Sequence, residues 1–183
     1  IKEKLTGQRA ILEFFSKYQQ PDGSIKDLPY WRFVDWAGDM GWGPVGSDGS
    51  AAIYDLQLLL AYQWAAEMEA AMGMAAFAEH YTQKAEQLKN TIKQKYWDEE
   101  RKLFADTKDK KGYSQHTNSL AILAGVVDEK NLTAVANTML ADKSLTQCTV
   151  YFKYYLHQAL VKAGLGNDYM NWLGIWRENI RMG

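Results

Sequence analysis

Residues 50–72 are apolar on almost every side of a helical wheel. Ile53, Leu56, Leu58, Leu59, Leu60, Tyr62, Trp64 and Met68 leave no polar face for water. A helix of this kind must be buried on several sides, which makes it an inner element. The segment that follows, 75–96, reads differently. It carries one stripe, Phe77, Tyr81, Ala85, Leu88, Ile92 and Tyr96, with a Lys/Glu/Gln back. Such a helix buries one side only.

The two kinds alternate through the whole chain. Striped segments are expected at 4–18 (Leu5, Leu12, Phe15), 75–96, 128–140 (Leu132, Val135, Ala136, Met139) and 167–182 (Tyr169, Trp172, Leu173, Trp176, Ile180). Segments apolar nearly all round are expected at 50–72, 115–124 and 150–163. About seven helices in alternating outer and inner layers follow, an all-α fold. The connections alternate too. Outer-to-inner links are long (19–49, 97–114 and 141–149), and inner-to-outer links are a few residues. Short links make neighbours antiparallel, so every long link lies at the end where the inner helices begin. That is the pattern of an α/α toroid with a rim of long loops. The inner N-termini, near Ser50, Gln115 and Val150, are then expected to aim unsatisfied N–H groups at the rim. A helical-repeat solenoid is the other arrangement, but the loops differ in length and no period of 33–47 residues emerges. The whole of 1–183 is read as a single domain. A β-hairpin is expected around 103–107 within the second long link.

The first rim loop is the most unusual segment. LPYWRFVDWAGDMGWGPVGSDGS, at 28–50, holds Trp31, Trp36, Trp42, Arg32, Asp35 and Asp39 and five glycines. A long loop in a compact domain is usually functional. A solvated linker would be small and polar instead. Aromatic faces beside carboxylates and a guanidinium suit a ligand apolar on its faces and hydroxylated at its edges, such as a sugar.

Composition narrows the alternatives. Net charge is −1 with no basic block, which argues against nucleic acid and anionic membranes as partners. No apolar run approaches the roughly 20 residues of a membrane span. The one cysteine, Cys148, excludes an internal disulfide and reads as a small buried hydrophobe. The three histidines, His80, His116 and His157, form no metal motif, and no cofactor is expected. No phosphate loop, nucleotide fingerprint or Ser/His/Asp signature is present. The chain starts at Ile1 without a signal-peptide pattern and reads as a piece of something longer, so its compartment stays open.

Several segments resemble the bacterial α-L-rhamnosidases of glycoside hydrolase family 78. They are YWRFVDW at 30–36, KLFAD at 102–106 with YSQHTN at 113–118, YFKYYLHQALVKAGL at 151–165, and WRENIRMG at 176–183. The resemblance covers most of the chain, in order. It implies part of a six-hairpin (α/α)6 barrel that removes terminal α-L-rhamnose with inversion. A full barrel has twelve helices. On the family pattern the general acid is a glutamate upstream of the residues here, and the general base is a glutamate shortly downstream of 183. Neither catalytic carboxylate is therefore expected in this chain, and the fragment is expected to be inactive alone.

The residues expected to meet sugar are Asp35, Trp36, Trp42, His116, Asn118 and Tyr151. Asp35, flanked by Phe33, Val34 and Trp36, is expected to be desolvated and so to need partners. Either it pairs with Arg32 and loop N–H groups, or it accepts hydrogen bonds from sugar hydroxyls. Trp36 is read as a stacking platform, Trp31 as core, and Trp42 stands between the two. Trp64, Trp172 and Trp176 sit on helix faces and read as core. His116, at an inner N-terminus beside Gln115 and Asn118, has both a structural and a substrate-contacting reading. Tyr151 and Tyr154 open an inner helix near the rim. Asp48 reads as a turn residue, and the lysine-interleaved 97–111 segment as a solvated hairpin. Rhamnose-containing glycosides are the expected ligand. A silent carbohydrate-binding or scaffold module, and another toroid enzyme such as an epimerase or lyase, are the alternatives. Exposed barrel flanks make self-association a further expectation.

Overall fold

A helix with no polar face needs cover on every side, and the inner helices find most of it in one another. In the computed structural model, which describes residues 2–183, α2 (Ala52–Ala71) packs on α4 (Gln115–Leu123), and α4 packs on α6 (Lys153–Leu160). The outer layer is α1 (Leu5–Ser16), α3 (Ala75–Tyr96), α5 (Leu132–Ala141) and α7 (Gly174–Met182). A two-stranded hairpin, β1 (Trp97–Asp98) with β2 (Leu103–Phe104), follows α3 and pairs Trp97 with Phe104. The expected hairpin therefore exists, with its second strand inside 103–107 and its first at Trp97–Asp98, earlier than expected. The expected seventh helix at 167–182 is divided into a 3-10 turn over Gly166–Leu173 and α7.

The periodicities map onto burial. In α2, Ile53, Leu56 and Leu59 are completely buried. The stripe Tyr81, Ala85, Leu88, Ile92 and Tyr96 of α3 covers one flank of α2, with Tyr62 and Tyr81 stacked at 5.9 Å between ring centroids. Phe77, at the start of that stripe, is half-exposed and lies under the Arg9 guanidinium at 3.6 Å. Each inner helix ends close to a glycine in the left-handed region (Gly73, Gly125, Gly164), which makes the short reversal into the outer layer.

Three segments differ from the burial expected of them. Trp64 is 57 % exposed on a face of α2 that no neighbour covers. On α6, Tyr151, Tyr154, Gln158 and Val161 form an exposed stripe, so this helix is buried on one side rather than on most. Trp172 and Trp176 are half-buried around the His157 ring rather than in the core, and Ile180 is exposed.

A buried polar chain fastens the first rim loop to this scaffold. Asp55, in the first turn of α2, accepts from the Ile25 amide (2.7 Å) and meets Tyr96 Oη at 2.6 Å. Tyr96 Oη is 3.0 Å from Ser50 Oγ, which donates to Asp48 at 2.8 Å, and Asp48 pairs with Lys95 at 2.7 Å. Asp48 thus acts as the turn residue its position suggests. Burial pushes the Asp55 carboxyl up to about 7, against the opposing pull of Tyr96 and the Ile25 amide. A proton on Asp55 lets every donor run one way, from Asp55 to Tyr96 to Ser50 to Asp48. An ionised Asp55 takes the single Tyr96 proton and leaves Ser50 without a donor from that side.

Two outcomes follow from this packing. Leu59→Ala destabilises the chain by ~2–5 kcal/mol in urea unfolding, because a completely buried leucine leaves a cavity. The folded Asp55 carboxyl titrates above its unfolded value near 4, so its stabilisation is complete below about 4 and is lost as pH rises through about 7. Urea midpoints measured between pH 5 and 8 therefore fall more steeply for the natural chain than for Asp55→Asn.

Candidate functional site

The rim forms where the inner helices begin, and the loops there answer one another. The Ala52 amide, opening α2, donates to the carbonyl of Asp106 (2.9 Å). The Gln115 amide, opening α4, donates to the carbonyl of Thr146 (3.0 Å), and the Ser114 hydroxyl caps the Thr117 amide at 3.1 Å. The Lys153 amide, opening α6, reaches the Thr149 carbonyl at 3.1 Å. The expectation of N-termini aimed open at the rim is corrected here: their leading amides are satisfied by loop carbonyls.

The first rim loop is folded tightly on itself. The amides of Val34 and Asp35 both donate to the Met40 carbonyl (2.9 and 3.3 Å), and Met40 plugs the turn with 1 % exposure. Gly43 admits no side chain: a Cβ there would lie 1.6 Å from the Tyr54 hydroxyl, which donates to the Arg32 carbonyl at 2.7 Å. Tyr30 sits at φ +73°, a strained conformation for a bulky residue and one typical of functional segments.

The fold produces an aromatic cluster. Trp31 Nε1 donates to the Gly41 carbonyl at 2.7 Å. The Trp31 ring lies 5.1 Å from Phe33, 5.9 Å from Trp36 and 6.5 Å from Trp42. Trp31, Trp36 and Trp42 are 58 %, 73 % and 80 % exposed. Trp31 is therefore not the core residue its sequence context implies, because its indole N–H is held by a surface carbonyl. Tyr151 lines an apolar cleft of about 280 Å³ with Phe33, Val34, Trp64 and Phe152.

Asp35 and His116 come together, 2.7 Å apart and both completely buried. Asp35 does not pair with Arg32. Its carboxylate accepts from His116, from the amide and hydroxyl of Thr149, and from the Trp36 amide. Burial pushes Asp35 upward, but the bonds from Thr149 and His116 outweigh it and hold the carboxyl below its ordinary value. Burial lowers His116 and Asp35 opposes it, with the net effect downward, so the imidazole is neutral near pH 7. In this geometry the Asp35 carboxylate is fully committed, and the one unpartnered atom of His116, Nδ1, is buried.

Asn118 is also buried. Its side chain accepts from the Phe104 amide and donates to the carbonyls of Phe104 and Ser114, which splints β2 to α4. Direct sugar contact by Asn118 is thus replaced by a structural role. Asp106, grouped by sequence with the solvated hairpin, is 5 % exposed and accepts from Ser114 (2.5 Å) and Thr117 (2.6 Å). Burial raises its carboxyl, and the two hydroxyls pull the other way. Asp109 takes the Ser47 amide and hydroxyl, while Asp39 stays exposed. Thr149 and Asp55 escaped the sequence reading: a threonine in a polar connector and an aspartate inside an apolar helix carry no motif. Among the described residues no group of three or more His, Cys, Asp or Glu could hold a metal ion, and no helix is long and apolar enough to cross a membrane.

The same architecture occurs in known proteins. A rhamnosidase from Klebsiella oxytoca, solved with rhamnose bound, superposes with a TM-score of 0.85 at 18 % identity, covering 99 % of this chain and 34 % of that one. The family 78 rhamnosidase of Bacillus sp. GL1 superposes with a TM-score of 0.80 at 21 % identity, covering 98 % and 19 %. This chain thus spans about a third and a fifth of those two proteins. No curated protein matches it in sequence. Residues 7–151 match the family described as the bacterial alpha-L-rhamnosidase 6 hairpin glycosidase domain. The alternating helices, the common rim and that match make this chain a member of the bacterial α-L-rhamnosidase six-hairpin glycosidase domain family.

Proposed function

We propose that this chain is one part of a single catalytic barrel that removes terminal, non-reducing α-L-rhamnose from rhamnosides with inversion at the anomeric carbon. Its own share is a section of the sugar-binding rim. The observation that carries this reading is the exposure of three indoles, Trp36 and Trp42 each packed on Trp31, at the edge where α2, α4 and α6 begin. An aromatic face that finds no protein cover is a platform for the apolar face of a pyranose. The rhamnose bound to the Klebsiella oxytoca enzyme supports the choice of sugar.

Inverting hydrolysis needs one carboxyl group to protonate the leaving oxygen and another to activate a water, roughly 6.5–9.5 Å apart. The rim carboxylates Asp35, Asp48, Asp106 and Asp109 are all held by protein donors. Asp39, the exposed carboxylate of the first rim loop, does not by itself make the required pair, so the acid and base are assigned to residues outside this chain, and the chain alone binds without hydrolysing. A non-catalytic binding module shares that occupied rim, and it differs in keeping full affinity without further helices.

Trp64 on α2 and the Tyr151–Tyr154–Val161 stripe on α6 add an uncovered apolar flank. Contiguous exposed apolar surface favours association, so a second copy covers this flank when nothing else does.

The isolated chain shows no turnover of an aryl α-L-rhamnoside, and measurable turnover abolished by Asp39→Asn would refute the placement of the acid and base. Rhamnose titration followed by tryptophan fluorescence saturates, and Trp36→Ala weakens it about tenfold, equivalent to ~1.4 kcal/mol. Sedimentation velocity shows concentration-dependent dimers that Trp64→Lys disperses; a monomer at every concentration would remove the flank from consideration.

A further inference from the structure

Asp35 holds three segments of the rim at once. Its Oδ1 accepts from the Trp36 amide (2.9 Å) and the Thr149 hydroxyl, and its Oδ2 accepts from His116 Nε2 (2.7 Å) and the Thr149 amide (2.8 Å). The donors come from its own loop, from α4 and from the connector before α6. Four donors fill the acceptor sites of a carboxylate. Asp35 itself is completely buried, yet the next side chain, Trp36, is 73 % exposed.

The bond to the Trp36 amide fixes the peptide plane between the two residues. On the other side, the Val34 and Asp35 amides are fixed by the Met40 carbonyl. Little backbone freedom remains to change the direction of the Trp36 Cα–Cβ bond. His116 adds a second observation. Its Nδ1 is buried without a hydrogen-bond partner, while Nε2 is committed to Asp35. A buried acceptor left empty is destabilising, and a well-packed apolar pair in the same volume is often the more stable arrangement. Stability alone does not account for the arrangement.

We infer that Asp35, Thr149 and His116 are positioning residues for Trp36, fixing the direction in which its indole face meets a sugar. This rests on the reading of Trp36 as a sugar platform. Thr149 is the most informative member, because it sends both its amide and its hydroxyl to Asp35.

The test uses the full 183-residue chain labelled with 5-fluorotryptophan, with the Trp36 fluorine line assigned by its loss in Trp36→Phe. Thr149→Val removes the hydroxyl donor and keeps the amide and the shape. The Trp36 line moves or splits in Thr149→Val, the lines of Trp64, Trp172 and Trp176 stay in place, and Thr149→Ser restores the natural spectrum. His116→Leu, which removes another donor and the empty acceptor together, gives the same selective displacement and serves if Thr149→Val does not fold. An unmoved Trp36 line in a folded variant overturns the inference. So does a displacement shared by all the tryptophan lines, which would reduce the three residues to an ordinary fold contact. A rhamnose titration separates the two readings. Weaker binding in Thr149→Val, by about threefold or more, with recovery in Thr149→Ser, supports both. A selective move of the Trp36 line with no response to rhamnose in any variant upholds the positioning and sinks the sugar platform.

Discussion

The opening amide of an inner helix cannot be left bare in an apolar interior, and this chain meets that demand with carbonyls borrowed from its loops. Asp106, in the loop before α4, closes the start of α2. Thr146, in the loop before α6, closes the start of α4. The loops are therefore part of the scaffold rather than ornaments on it. Their backbone must come close to the helix starts, and the long first loop is drawn to the same edge by Asp35 and Asp55. Everything exposed at the rim, the indoles above all, is positioned by this inward pull.

Three buried carboxylates share the fastening, each in a different electrostatic condition. Asp35 has four donors and stays ionised. Asp106 has two hydroxyl donors and is raised by burial. Asp55 has one amide and one phenol, and burial takes it to about 7. Four donors outweigh desolvation at Asp35, whereas desolvation outweighs the two donors at Asp106 and the two at Asp55. The rim is thus built from groups that in an open cleft would be candidates for acid or base. Here their oxygens are taken up by hydrogen bonds from the protein itself.

The fold was legible because one pattern at two levels pointed the same way. Helices without a polar face alternated with striped ones, and long links alternated with short ones. Burial of α2 between α3 and α4 needs nothing more than that. The juxtaposition of Asp35 with His116 was implied by the shared edge, although the partners weighed for Asp35 were Arg32, sugar hydroxyls or loop N–H groups, of which the Trp36 amide is one. The fate of individual tryptophans was less legible. Trp31 and Trp64 are exposed because exposure depends on what stands opposite, and a helical wheel holds no information about the opposite wall. Asn118 shows the converse: a polar residue beside a rim histidine serves a strand carbonyl and amide that no local pattern reveals. Thr149 could not be found by motif, since its value lies in meeting a carboxylate from a distant part of the chain.

At α2 and α4 the borrowed carbonyls run in one direction, each of these helices being closed by a loop made later. On a ribosome adding roughly 5–20 residues per second, α2 leaves the tunnel several seconds before Asp106 is synthesised. During that interval a helix with no polar face waits with its first turn open and its third flank bare. The growing chain therefore matures from behind, each turn of the toroid completed only when the next has begun to emerge.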